Sequence, residues 1–232
     1  MFFFDPLYLL FALPGLIFSL WATFYVKSTF AKYSQVASRR GFTGAEAARE
    51  MLARNGVKGV TVEETGGFLS DHYDPRTRTL RLSPDVFRSH SLAALGVACH
   101  EAGHALQHAQ AYAFLGLRTA LVPATNIGST LSYFVIMAGF LLRSQPFILV
   151  GAGLFSIAVV FSLVTLPVEW NASARAKRAL VQTGVISADE VGPASAVLNA
   201  AFLTYVAAAV SSLLMLLYYL MRAGVFGGRR DD

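Results

Sequence analysis

Cys99-His100-Glu101-Ala102-Gly103-His104-Ala105-Leu106-Gln107-His108 contains the pattern His-Glu-x-x-His, and its reading decides how the rest of the chain is read. On an α-helix each residue advances by about 100°, so positions four apart lie one turn apart on the same face. His100 and His104 can therefore direct both imidazoles at one point, with Glu101 beside it. Two neutral imidazoles and a third protein ligand make an open zinc site with water in the fourth position. Zinc lowers the pKa of such a water, and an adjacent Glu can take its proton and pass it to a leaving amine. Peptide-bond hydrolysis is the chemistry that uses this geometry.

The pattern is short, and a helix with two polar faces would also produce it. The flanking residues favour a site. Residues 91–99 form an apolar helix-forming run, with Ser91 as its N-cap. A run this apolar is buried, and a buried His-Glu-His cluster needs partners that a metal supplies. Gly103 costs about 1 kcal/mol against Ala inside a helix, so its presence predicts the close approach of another backbone. Cys99 adjoins His100, but neighbouring positions on a helix face different directions, so it reads as a small buried hydrophobe. One cysteine excludes an internal disulfide framework and a Cys-rich metal site.

The 232 residues are 55% hydrophobic and 14% charged, with mean hydropathy +0.52. Soluble domains carry about a quarter charged residues, so the composition is that of a membrane protein. A net charge of +5 suits loops facing an anionic leaflet. The basic residues are dispersed and not interleaved with stacking aromatics, which argues against nucleic acid as a partner.

Towards the N-terminus, residues 7–26 form an apolar run long enough to span a bilayer, without the flanks of a cleaved signal. Lys27, Lys32, Arg39 and Arg40 follow at once, placing this end in the cytoplasm. Thr43 to Glu46 is a capping box, opening a helix that runs to about Asn55 and stops at Gly56. Residues 57–63 alternate like a strand. Residues 68–73 and 79–82 flank Asp74-Pro75-Arg76, a β-turn between two strands. An edge strand of this small α+β domain is placed to pair with an extended peptide. Ser83-Pro84 opens a further helix. His72 and His90 read as surface residues, and Asp71 and Asp74 as turn formers.

Towards the C-terminus, residues 119–142 and 147–166 are two apolar spans joined by Arg143 to Pro146, the second ended by Pro167. This hairpin returns the chain to the side of the motif helix, and Glu169 comes next. Residues 169–178 read as helix, with small residues Ala172, Ser173 and Ala176 on the face of Glu169. A charge at a membrane boundary is a functional candidate, and Glu169 is the expected third zinc ligand. His108 competes for that role. It lies about 12 Å from His100 along a continuous helix, too far for ligands bound at about 2.0–2.1 Å. His108 is instead a candidate substrate contact. Arg175 is either a plain positive-inside residue or a candidate for stabilising the transition-state oxyanion. Residues 187–190 carry a second cap signal, and residues 198–221 form a fourth span. Arg229 and Arg230 would then lie outside, against the general charge bias.

The expected organisation is an anchor (1–26), a catalytic domain carrying the motif helix (27–118), a transmembrane hairpin (119–167), a helix with the third ligand and a loop (168–197), and a C-terminal transmembrane helix with its tail (198–232). His100 to Gln107, the stretch from Tyr73-Asp74-Pro75 to Leu80-Arg81-Leu82-Ser83, and Val168 to Ser173 together resemble the bacterial membrane zinc metallopeptidases of the YugP type, over nearly the whole chain. The resemblance implies a mainly α membrane protein of about four transmembrane helices. With them goes a small zincin-like α+β catalytic domain, holding one Zn2+ and acting on peptides or proteins. A more distant similarity is to the HtpX and Ste24-type membrane metallopeptidases, which carry a downstream Glu-x-x-Ala-Asp segment. Glu169-x-x-Ala172 matches it and supports Glu169 as ligand. Ser173 stands where those enzymes have Asp, leaving Ser173 or Asn171 to orient a zinc-bound His.

The leading expectation is a multi-pass zinc endopeptidase of a bacterial plasma membrane. Its site faces the cytoplasm, its metal ligands are His100, His104 and Glu169, and Glu101 is the general base. Its partners are the lipid bilayer and peptide or protein substrates, membrane proteins among them. One alternative is a site-2-type intramembrane protease, which needs an Asp that the second, third and fourth spans lack. The other is a non-catalytic metal-binding membrane scaffold.

Overall fold

The computed structural model describes residues 5–67 and 70–226. Its elements run α1 (Pro6–Ser34), α2 (Gly44–Arg54), β1 (Thr61–Glu64), β2 (His72–Asp74), β3 (Thr79–Leu82), α3 (Pro84–Phe87), α4 (Leu92–Ala109), α5 (Ala113–Leu141), α6 (Gln145–Gln182), a 3-10 turn (Ala188–Glu190) and α7 (Val191–Arg222). The chain is thus mostly helical with one small sheet. Among the described residues four helical segments are long and apolar enough to cross a membrane: α1, α5, α6 and the stretch Ala188–Arg222. The chain groups into two compact units.

One unit comprises Met1–Trp21, Leu117–Leu166 and Thr204–Asp232. Its helices pack through small residues: a Cβ on Gly151 would lie 2.4 Å from a side-chain carbon of Ile136, and Ser211 donates to the Gly15 carbonyl. Close packing at small residues is the usual way for apolar helices to associate in lipid. Large apolar side chains such as Leu10, Ile17, Ile127 and Leu141 remain exposed, as lipid-facing positions do. Tyr218, which is buried, and Arg222, which is exposed, both donate to Asp5.

The other unit comprises Ala22–Gly116 and Pro167–Leu203, and holds the motif. Its sheet has the order β1-β3-β2, with β1 parallel and β2 antiparallel to β3. Asp74 makes the tight β2–β3 turn by accepting from the Arg76 amide and the Thr77 hydroxyl. The core joins Ala48, Met51 and Leu52 of α2, Leu80 and Leu82 of β3, and Leu92, Leu95, Cys99 and Leu106 of α4. Each buried Leu contributes about 2 kcal/mol of apolar burial, so α4 is fixed along its length. Both capping boxes are formed, Thr43 with Glu46 and Ser187 with Glu190, and Ser91 accepts from the Ala94 amide as N-cap of α4.

Boundaries differ from the sequence reading at several places: α1, α5 and α7 extend beyond the apolar runs 7–26, 119–142 and 198–221. Pro167 does not end a helix; α6 continues for 15 residues beyond it. One backbone bond is lost at the proline, but the face that follows, Val168, Ala172, Ala176 and Leu180, is buried and outweighs it. The first strand starts at Thr61 and not at Val57, because Gly59 takes φ +74 and breaks the extended run. The second strand starts at His72; Phe68 and Leu69, where it was expected to begin, lie outside the described residues, as do Arg229 and Arg230.

Candidate metal centre

The face of α4 that meets α6 carries His100, Gly103, His104 and Gln107. Gly103 is where the helices touch: a Cβ there would lie 2.7 Å from the Ala172 carbonyl oxygen. This is the backbone approach that the glycine predicted. Gly103→Ala therefore forces α4 and α6 apart. The overpacking costs about 1–3 kcal/mol, which exceeds the roughly 1 kcal/mol that Ala gains over Gly in a helix. Gly103→Val, with no such compensation, should lower the melting temperature further, as thermal unfolding of the full chain in detergent would report.

The close approach brings Glu169, 1% exposed, between the two imidazoles. Glu169 Oε2 lies 3.1 Å from His100 Nε2 and 3.5 Å from His104 Nε2. The two rings stand nearly perpendicular, with centroids 4.9 Å apart. One donor atom from each of the three residues lies within 4.8 Å of the others. Two atoms each bound to zinc at about 2.0–2.1 Å with tetrahedral angles are about 3.3 Å apart. The two spacings to Glu169 bracket that value and the third pair lies within 4.8 Å, so the residues present fit the ion.

The remaining ring nitrogens are also held. His100 Nδ1 lies 3.1 Å from Ser173 Oγ. His104 Nδ1 lies 3.0 Å from Gln107 Oε1. The Gln107 amide is oriented by its own donors, since Nε2 bonds the Val168 carbonyl at 2.8 Å and Asn171 Oδ1 at 3.1 Å. Its carbonyl oxygen can only accept, so the His104 proton sits on Nδ1. In the neutral ring the Nε2 lone pair is then left facing Glu169. Gln107→Ala should lower metal affinity about 10- to 100-fold, with the histidines intact; titration with a competing zinc chelator would measure it.

Electrostatics at the junction favour a cation. Burial works against the charged form of His104, but its hydrogen bond to Glu169 and the Glu101 charge outweigh it and raise the pKa above 6.5. Burial pushes the Glu101 carboxyl above its ordinary value; the charges of His104 and His100 pull against this. A divalent ion would take the place of the imidazolium proton, since a ligating imidazole is neutral. Cys99 is buried and its thiol is pushed up to about 12, so it offers no thiolate.

Glu101 sits on a different face of α4, directed at the sheet. Its Oε2 accepts from the Tyr73 amide of β2 at 3.1 Å. His108 is not part of the cluster; its Nδ1 lies 2.9 Å from the Tyr73 hydroxyl. Arg175 donates to Asn171 and Gln110 and lies over the Tyr112 ring, so it braces the Gln107 network. His72 and His90 are exposed, each with Nδ1 on a nearby carbonyl, of Ser70 and Gly41. Sequence reasoning missed Gln107 and Tyr73. Gln107 lies three residues after His104, on its helix face, and that spacing was the available signal. Tyr73 carried none, because its contact is made by a backbone amide.

No solved structure matches the chain. A curated relative, "Putative membrane protease YugP" of Bacillus subtilis (strain 168), is 46% identical over 226 residues, covering 97% of this chain and 99% of the relative. The family model described as "Putative neutral zinc metallopeptidase" matches residues 8–224. Nearly the whole chain is therefore accounted for by one family, and the chain belongs to that zinc metallopeptidase family.

Proposed function

We propose that this chain is a membrane-embedded, zinc-dependent endopeptidase. The observation that carries the reading is the convergence of His100 Nε2 and His104 Nε2 on Glu169 Oε2, at 3.1 and 3.5 Å, with Glu101 one residue from the first ligand. His100, His104 and Glu169 would hold one zinc ion. When bound, that ion supplies Lewis acidity, making water a nucleophile near neutral pH and polarising the scissile carbonyl.

The chain's own residues do the rest. Glu101 accepts the proton of the attacking water at a carboxylate oxygen and delivers it to the departing nitrogen. Its raised pKa suits both halves of that transfer. Tyr73 fixes the Glu101 carboxylate through its backbone amide. Gln107 and Ser173 hold the far nitrogens of the two ligand rings, a task that a carboxylate or a carbonyl commonly performs. Strand β2 lies at the edge of the sheet, and an extended peptide can pair along it and pass over the junction. Together, α4 and the sheet act as a zincin-like catalytic domain, with α6 supplying the third ligand.

Two other readings weigh less. The motif helix α4 is not one of the four candidate spans and packs against α2, α3 and the sheet, which weighs against a site-2-type intramembrane site. A non-catalytic scaffold leaves Glu101, held beside the junction, without a role. Lys27, Lys32, Arg39 and Arg40 support a site on the cytoplasmic side of a multi-pass protein, with peptides or proteins, membrane proteins included, as its substrates.

The test is cleavage of a chemically unfolded protein by the full chain in detergent, before and after zinc is stripped with phenanthroline. Cleavage that is lost on stripping and restored by zinc is expected. A fully zinc-loaded chain that cleaves nothing would favour the scaffold.

A further inference from the structure

A cleft of about 270 Å³ lies along α4 on the Glu101 face, beyond the metal junction, lined by Val57, Lys58, Val60, Tyr73, Arg78, Ala105, His108 and Ala109. Glu101, Ala105 and His108 are spaced i, i+4, i+7 and share that face. Tyr73 ties the two ends together: its amide bonds Glu101 and its hydroxyl bonds His108. The volume is below that of whole small-molecule pockets, about 300–1,000 Å³, and suits one side chain.

The charge in the cleft is of one sign. Among the described residues no carboxylate lines it, while Lys58 and Arg78 do. Neither cation forms an ion pair among the described residues, whereas Arg54 and Arg88 each have one and Arg81 has two. The nearest turn carboxylate, Asp74, is engaged with Arg76, Thr77 and Arg81. Arg78 holds a left-handed backbone, φ 52, a conformation disfavoured for a residue with a side chain and of the kind that collects at binding sites.

We propose that this cleft is a substrate subsite that takes an acidic side chain, Glu or Asp, of the peptide being cleaved. The proposal rests on the peptidase reading of the metal junction. Lys58 and Arg78 pair with the carboxylate, and Val57, Val60 and Ala105 hold the methylenes. The position along the substrate follows from the helix. Seven residues separate Glu101 from His108, about 10.5 Å of axis, and an extended peptide advances about 3.4 Å per residue. The acidic residue therefore falls about three residues from the scissile bond, on one side of it only.

The experiment measures binding, so that it does not depend on turnover. Fluorescein-labelled decapeptides, identical except for Ala, Glu or Lys at one position, are titrated against the full Glu101→Gln chain and followed by anisotropy. The Glu peptide should bind about three- to tenfold more tightly than the Ala peptide, the size expected for partly screened ion pairs. The Lys peptide should bind more weakly than either, and the preference should shrink in 0.5 M salt. The ratio of Glu to Ala affinity should fall to about one in Lys58→Ala/Arg78→Ala. In Lys58→Glu/Arg78→Glu it should invert in favour of Lys.

Equal affinities at every position, a preference that survives the double substitution, or no peptide binding at all would overturn the proposal. So would a Glu preference abolished in nanodiscs of phosphatidylglycerol but not phosphatidylcholine, which would make the cleft a lipid-headgroup contact. Cleavage of the same peptides by the unsubstituted chain is scored separately. Glutamate-dependent binding without any cleavage would count against the peptidase reading and leave the subsite standing.

Discussion

Glu101→Gln is expected to lower peptide hydrolysis by about 10²- to 10⁴-fold, the usual contribution of a positioned general base, while zinc content is unchanged. The two outcomes separate because Glu101 is not one of the three converging side chains. Glutamine has the same shape and keeps an oxygen to accept from the Tyr73 amide, so the strand stays on the helix. Stability should not fall. Burial holds the Glu101 carboxyl above its ordinary value, which means that its charge is unfavourable in the folded chain near neutral pH. In the zinc-stripped chain the neutral amide removes that cost, and there the melting temperature should equal or exceed that of the unsubstituted chain. A functional group that works against stability is a common cost of an active site. Proteolysis rates, zinc content and thermal unfolding measured on one preparation would decide it. Activity within a factor of about two of the parent would remove Glu101 from the mechanism.

Glu169→Ala carries the second large effect, and it moves the opposite quantities. Without Glu169 only two side chains remain at the junction, and zinc affinity should fall by more than the 10- to 100-fold that follows loss of a group merely supporting a ligand. Stability falls too. His104 owes its raised pKa in part to Glu169, and removing one partner of a buried charged pair costs about 3–5 kcal/mol. In the parent, zinc at a thousand times its dissociation constant should add about 4 kcal/mol of stability; in Glu169→Ala this increment should largely vanish. Melting curves with and without zinc, for both chains, measure the difference. An unchanged zinc increment would mean that the ion is held elsewhere.

These two substitutions fall on the parts of the site that the sequence made legible. His100 and His104 follow from helical spacing, and Gly103 announced that a second backbone comes close. Glu169 could be named because small residues surround it on its helix and because the expected hairpin of spans would return the chain to the side of the motif helix. Helix caps at Thr43, Ser91 and Ser187 were equally readable, since a cap is settled by residues three apart. What escaped depends on contacts distant in sequence. Gln107 meets Val168 and Asn171 across more than sixty residues, and its spacing of three from His104 marks the shared helix face but not those partners. Tyr73 acts through its backbone amide, which carries no sequence signature. Pro167 misled because local propensity argues for a break, whereas the buried face beyond it holds the helix together. The parallel pairing of β1 with β3 was hidden for the same reason, as alternation identifies a strand but not its neighbour.

The claim on which everything else depends is that α4 and α6 together form a zinc centre. X-ray absorption at the zinc edge, on the full chain purified without added metal, addresses it directly. The expected spectrum shows zinc bound by two imidazole nitrogens and by oxygen, all at about 2.0–2.1 Å, with no sulfur at about 2.3 Å. The same spectrum should lose its imidazole scattering in His100→Ala/His104→Ala. A chain that retains no zinc, or zinc whose shell is unchanged by that double substitution, would contradict the account.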